Sequence, residues 1–159
     1  MKKIIIALSA IALLAACQKS LIDSEGLYEN GIVAFQANDS GEMAAFLETS
    51  GPVTFTIASS VKVDKDVTVN FEPVRDTAVL AAFNQAQGTN YWFLPEANVS
   101  LNRKSTVIKA GSAVSEPVTA DVNIDGFKNG VIYCLPLRIT GTSTSQRPGP
   151  GAEYAFLVI

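Results

Sequence analysis

Apolar and polar residues alternate with period two in four separate stretches of this chain, a pattern that predicts half-buried β-strands. Val53, Phe55 and Ile57 share one face, with Thr54 and Thr56 opposite. Val67, Val69 and Phe71 repeat the pattern, with Thr68 and Asn70 outward. Val118, Ala120, Val122 and Ile124 form a third set, and Tyr133, Leu135, Leu137 and Ile139 a fourth. Between them lie turn residues tolerant of positive φ: Asn30-Gly31, Ser50-Gly51-Pro52, Ala110-Gly111-Ser112, Asp125-Gly126 and Asn129-Gly130. Short strands with such punctuation fit a β-sandwich. Pro136 has no N–H to give a ladder, which predicts a bulge or an edge position near the middle of the strand from Val131 to Thr140. The run Pro148-Gly149-Pro150-Gly151 predicts a long loop before a last strand, Glu153 to Ile159.

One alanine-rich segment, Asp76 to Gly88, departs from the alternation and predicts a short helical crossover. Asp76 or Thr77 supplies a cap at its start, Val79, Phe83 and Ala86 fall on one side, and Gly88 suits a left-handed ending. The segment Glu42 to Glu48 fits a helical turn and a strand equally well. No internal repeat is visible.

The N-terminus carries a different pattern. Lys2 and Lys3 precede an apolar run, Ile4 to Ala12, and Leu14-Ala15-Ala16 leads into Cys17. This is the layout of a lipoprotein signal, with cleavage before a cysteine that becomes the acylated N-terminus. The uninterrupted apolar run is far shorter than the roughly 20 residues a membrane-spanning helix needs. The expected organisation is a signal peptide over residues 1–16, a flexible polar tether over 17–31, and one domain over 32–159.

Charge and cysteine usage narrow the chemistry. The formal net charge is −3 at pH 7, and cleavage removes Lys2 and Lys3, leaving a more acidic chain. Such a balance argues against nucleic acid, whose phosphates call for clustered Lys and Arg. Of the two cysteines, Cys17 is committed to a thioether by acylation, so no intrachain disulfide is expected. Cys134 sits in the apolar run Val131-Ile132-Tyr133-Cys134-Leu135 and reads as a small buried hydrophobe. The chain has no histidine to activate it as a nucleophile.

Several pieces in order carry a family resemblance: the Asn84 region of the crossover, Tyr91-Trp92-Phe93-Leu94-Pro95, and Thr106-Val107-Ile108-Lys109-Ala110-Gly111-Ser112. Tyr133-Cys134-Leu135-Pro136-Leu137-Arg138-Ile139 and the closing Glu153-Tyr154-Ala155-Phe156-Leu157-Val158-Ile159 complete the set. From Ile32 to Ile159 the chain resembles the Bacteroidetes lipoprotein domain of unknown function 1735, which follows the lipid anchor of surface proteins made with polysaccharide-utilisation systems. The resemblance implies an immunoglobulin-like all-β sandwich with one short helical crossover. It also implies attachment to the outer membrane and a partner in polysaccharide or a glycan-uptake complex. Many relatives carry a further lectin-like, jelly-roll or glycosidase-like domain. Here the sequence ends at what reads as the final strand, so a stand-alone member and a chain lacking its downstream domain both stay open. Surface-exported members often carry an acidic run after the cysteine, whereas Gln18-Lys19-Ser20 follows Cys17 here. The cell surface is expected, with the periplasmic face left open.

Three constellations remain. Tyr91-Trp92-Phe93 is the densest aromatic cluster and holds the sole tryptophan, making Tyr91 and Trp92 the candidate platform for a sugar ring. The competing reading is packing, with Tyr91 and Phe93 buried and Trp92 set against the crossover. Asp121-Val122-Asn123-Ile124-Asp125-Gly126 resembles the first half of a calcium loop, but the position that needs a bidentate glutamate is Ile132. No metal or cofactor is expected. Glycoside hydrolysis needs two carboxylates facing across a cleft, and Glu48, Asp64, Asp66, Glu72, Asp76, Glu96 and Glu116 are scattered over turns and outward strand positions. The expected function is non-catalytic: a lipid-anchored glycan-capture accessory or spacer, with a structural adhesin as the alternative.

Overall fold

The computed structural model describes residues 31–159, so the expectations for the signal peptide, Cys17 and most of the tether lie outside the described residues. Strands β1 (Ile32–Phe35), β2 (Glu42–Ala44), β3 (Gly51–Phe55), β4 (Ile57–Ser59) and β5 (Val67–Pro73) precede helix α1 (Thr77–Gln87). Strands β6 (Trp92–Phe93), β7 (Val99–Leu101), β8 (Ser105–Ile108), β9 (Val118–Val122), β10 (Tyr133–Thr142), β11 (Arg147–Pro148) and β12 (Tyr154–Val158) follow. They form three sheets: β2-β12-β10-β5-β8 with β6 added to β10, β11-β1-β4, and β3-β9-β7. The immunoglobulin-like all-β sandwich with one helical crossover is the architecture observed.

The alternating residues build one core across all three sheets. Val67, Val69 and Phe71 of β5, Leu135, Leu137 and Ile139 of β10, and Val118, Ala120 and Val122 of β9 belong to it. At its centre stand Phe35, Phe55 and Phe71, one ring from each sheet, with centroids 5.7 to 6.1 Å apart and tilted or edge-on contacts. Burial of each such side chain stabilises the fold by about 1.5–3 kcal/mol, and each ring pair adds about 0.5–1.5 kcal/mol.

The large sheet is covered on its second face by α1. Leu80 and Phe83 of the helix pack on Cys134 of β10 and on Phe156 and Val158 of β12. Double coverage explains why Tyr133 to Leu137 is apolar without interruption, since a strand buried on both faces has no polar side to show. The helix caps fall where the sequence places them: the Asp76 carboxylate accepts from the Ala78 N–H at 2.9 Å, and Gly88 ends the helix at φ 67°. On the buried side Leu80 takes the place expected for Ala86, which is exposed.

Three other expectations are corrected. The alternation from Val53 to Ile57 is real, but the chain changes sheets at Thr56, so Phe55 and Ile57 reach the same core from β3 and β4. Gly51 and Pro52 begin β3 rather than forming a turn. Pro136 lies in a regular stretch of central strand β10, opposite Phe156, and the register shift falls between Ile139 and Gly141. Its carbonyl accepts from the Val74 N–H at 2.8 Å, so its missing N–H points to the same side, where β5 has already ended.

Candidate functional site

The aromatic segment is positioned from below by one asparagine. Asn84, on the last turn of α1, donates from Nδ2 to the Tyr91 carbonyl at 3.0 Å and accepts at Oδ1 from the Tyr91 N–H at 3.0 Å. The Thr89 hydroxyl donates to the same Oδ1 at 2.9 Å. With Tyr91 fixed, alternation sends its ring and that of Phe93 toward the helix-covered cluster, and Trp92 the other way.

Tyr91 is tied into the fold. Its ring lies 6.1 Å from that of Phe83, and its hydroxyl donates to Glu42 Oε1 at 3.0 Å. Burial, and then the Glu42 carboxylate that prefers the protonated phenol, raise its pKa above the ordinary tyrosine value. Trp92 behaves differently from the packing reading: Tyr91 and Phe93 meet the crossover, while Trp92 keeps 47% of its surface exposed. Its backbone N–H donates to the Ile132 carbonyl at 3.0 Å, which seats β6 beside β10.

Lys128, a residue the sequence pattern did not single out, lies over the Trp92 ring with Nζ 5.0 Å from the centroid. A cation–π contact at an exposed site is worth about 0.5–1 kcal/mol. It favours one direction of the ring. The loop bearing Lys128 is braced: its N–H donates to the Tyr133 hydroxyl at 3.3 Å, and the Phe127 and Tyr133 rings stand 4.2 Å apart. Gly130 closes that loop at φ 75°, a conformation that disfavours any side chain.

The calcium-like loop and three of the carboxylates are held in structural contacts. Asn123 Oδ1 accepts from the Ser50 hydroxyl and the Asp125 N–H, each at 2.9 Å, and Asn98 Nδ2 donates to the carbonyls of Asn123 and Asp125. Asp66 pairs with Lys109 at 3.0 Å, Glu72 with Arg138 at 2.6 Å and Glu116 with Arg103 at 3.2 Å. Cys134 is fully buried, and that burial pushes its thiol up to about 12, with the Glu42 charge adding to the effect. Among the described residues no group of His, Cys, Asp and Glu has the arrangement to hold a metal ion.

A family model described as an N-terminal domain matches residues 27–146. The chain belongs to this family of N-terminal domains. That agrees with the resemblance read from the sequence. A model of the prokaryotic membrane lipoprotein lipid attachment site matches residues 1–18, which marks the chain as a membrane-anchored lipoprotein. Among the described residues no helix is long and apolar enough to cross a membrane. No curated protein matches the chain.

Solved structures share the fold. A candidate carbohydrate-binding protein from Bacteroides ovatus is 23% identical with a TM-score of 0.66, covering 80% of this chain and 36% of its own. EndoBT-3987 of Bacteroides thetaiotamicron, solved with Man5GlcNAc product, is 16% identical with a TM-score of 0.62 over 78% of this chain and 30% of its own. A multidomain Bacteroides ovatus protein that includes domain of unknown function 1735 is 20% identical with a TM-score of 0.55 over 79% of this chain and 42% of its own. The chain therefore spans less than half the length of each of these proteins.

Proposed function

We propose that this chain is a non-catalytic domain anchored to the outer membrane through lipid on Cys17, and that it captures glycan for polysaccharide utilisation or spaces such a module from the membrane. The observation that carries the capture reading is Trp92: the only tryptophan is ordered on a strand, yet half of it faces solvent. An indole held this way offers a flat apolar face to the C–H face of a sugar ring, while Tyr91 supports it from the core. The fold's presence in a candidate carbohydrate-binding protein and in EndoBT-3987 with its glycan product supports the same direction.

A non-catalytic role is supported by the state of the reactive groups. Glu72, Glu116 and Asp66 are engaged by Arg138, Arg103 and Lys109, and the Cys134 thiol is buried. The test is affinity electrophoresis through gels containing polysaccharide, with Trp92→Ala beside the unaltered chain. Retardation that disappears in the variant, with thermal stability kept, supports capture. Equal retardation of the two removes the tryptophan platform, and no retardation of either leaves the spacer role. Metabolic labelling with palmitate, lost in Cys17→Ser, tests the anchor.

A further inference from the structure

Beside Trp92 lies a groove of about 530 Å³, walled by Phe46 and Glu48 on one side and by Phe127, Lys128, Asn129 and Val131 on the other. Its volume is within the range of about 300–1,000 Å³ usual for small-molecule sites, and its lining has the same character: apolar and aromatic walls with a few polar groups. Lys128 belongs to both places, lining the groove and reaching over the Trp92 ring, so the two form one continuous surface.

Phe46 gives the groove its meaning. It follows edge strand β2, whose end is pinned where the Ala45 N–H donates to the Val158 carbonyl at 2.8 Å, and yet its side chain is 97% exposed. A phenyl ring left in water forgoes the burial that drives apolar side chains into a core. Phe46, which lines the groove with Lys128, and Trp92, which lies under Lys128, are both large apolar side chains presented to solvent. Exposed apolar residues gathered in this way mark a recognition surface. The opposite wall is held in shape by turn hydrogen bonds, from the Phe127 N–H to the Ile124 carbonyl at 3.1 Å and from the Val131 N–H to the Lys128 carbonyl at 3.2 Å. A preformed wall binds without the cost of ordering a loop.

We propose that this groove is a second sugar subsite, so that the chain binds a run of several sugar units from Trp92, past Lys128, to Phe46. The ligand class is an oligosaccharide or polysaccharide segment rather than a single sugar. Aromatic faces at the two ends meet the apolar faces of separate sugar units, and Lys128, Asn129 and Glu48 between them supply donors and acceptors for hydroxyl groups. This inference rests on the capture reading above.

The experiment separates the two. Gels containing a neutral β-glucan, a mannan or an acidic pectin identify a polysaccharide that retards the chain. Fluorescence of the single tryptophan then gives the affinity for the matching mono-, di-, tri- and tetrasaccharides. Affinity is expected to rise about tenfold or more with length, and Phe46→Ala to abolish that rise while leaving monosaccharide affinity unchanged. Phe46→Tyr keeps a ring and is expected to retain the length dependence. Equal affinity for all lengths, or a length dependence that survives Phe46→Ala, overturns the second subsite and leaves capture at Trp92 standing. Sedimentation showing a dimer that Phe46→Ala dissolves, with glycan affinity untouched, assigns the surface to self-association and likewise overturns it. Absence of retardation by any of the polysaccharides defeats the capture reading, and the subsite falls with it.

Discussion

Asn84 holds Tyr91 by both halves of its peptide environment, Nδ2 to the Tyr91 carbonyl and Oδ1 from the Tyr91 N–H, each at 3.0 Å. The pair ties the end of α1 to the start of β6 and so sets which of Tyr91, Trp92 and Phe93 faces water. Asn84→Ala leaves the Tyr91 peptide and the Thr89 hydroxyl without those partners. The expected loss is about 2–3 kcal/mol, read as a lower urea midpoint with an unchanged slope. The Trp92 emission spectrum is expected to move as well, because its direction depends on that anchor. Thr89→Val removes one bond and should cost about 1 kcal/mol.

Phe83 and Phe156 stack with centroids 3.8 Å apart and planes inclined at 21°, the closest ring contact between α1 and the large sheet. Phe83→Ala is expected to destabilise the fold by about 3–5 kcal/mol, since Phe83 is buried against Phe156 and its truncation leaves a cavity beneath the helix. Ala86→Ser, on the exposed side of the same helix, should change stability by less than about 0.5 kcal/mol. Thermal unfolding of the two variants checks the assignment of the buried helix face.

Much of this architecture was readable because it is encoded locally. The alternation at Val67, Val69 and Phe71, the Asp76 cap and the Gly88 terminus each depend on neighbours a few residues away, and each forms as its pattern dictates. The change of sheet at Thr56 and the tolerance of Pro136 depend on which strands lie alongside, information that period-two patterning does not contain. The candidate site divides in the same way. Trp92 was visible as an unusual residue in an aromatic run, but Lys128 comes to it only through the pairing of β6 with β10 and the turn at Gly130. Phe46 lay in a segment equally suited to helix and strand, so nothing in its surroundings marked it as exposed.

Ser115 is a buried polar residue that the alternation also left unmarked. Its hydroxyl accepts from the Ile57 N–H at 3.0 Å and donates to the Glu116 carbonyl at 2.8 Å, while its own N–H donates to the Ile57 carbonyl at 2.8 Å. It therefore stitches the short strand β4 where regular pairing is sparse. Ser115→Ala deprives a buried Ile57 N–H of that partner, and the expected cost is about 1–3 kcal/mol. Hydrogen exchange at Ile57 should accelerate in the variant more than exchange at Leu137 of the central strand.

Cys134 makes stability depend on alkaline pH in a way one substitution can isolate. Its thiol is pushed from an ordinary value of 9.0 up to about 12, first by burial and then by the Glu42 carboxylate. In the unfolded chain the thiol ionises near its ordinary value, whereas in the folded chain it stays protonated to about 12. Between these pH values the folded state binds the extra proton, so each unit of rising pH favours unfolding. The contribution is complete below about pH 9 and is lost progressively as pH climbs toward 12, with a limiting slope of about 1.4 kcal/mol per unit. Cys134→Ala deletes this titration while leaving the lysines and tyrosines in place. Urea midpoints measured from pH 8 to 10.5 should therefore fall more steeply for the unaltered chain than for the variant. Parallel curves would place the thiol in contact with solvent. A second readout is available at pH 8: a disulfide reagent should leave native Cys134 unmodified and label it only when the chain is unfolded in urea.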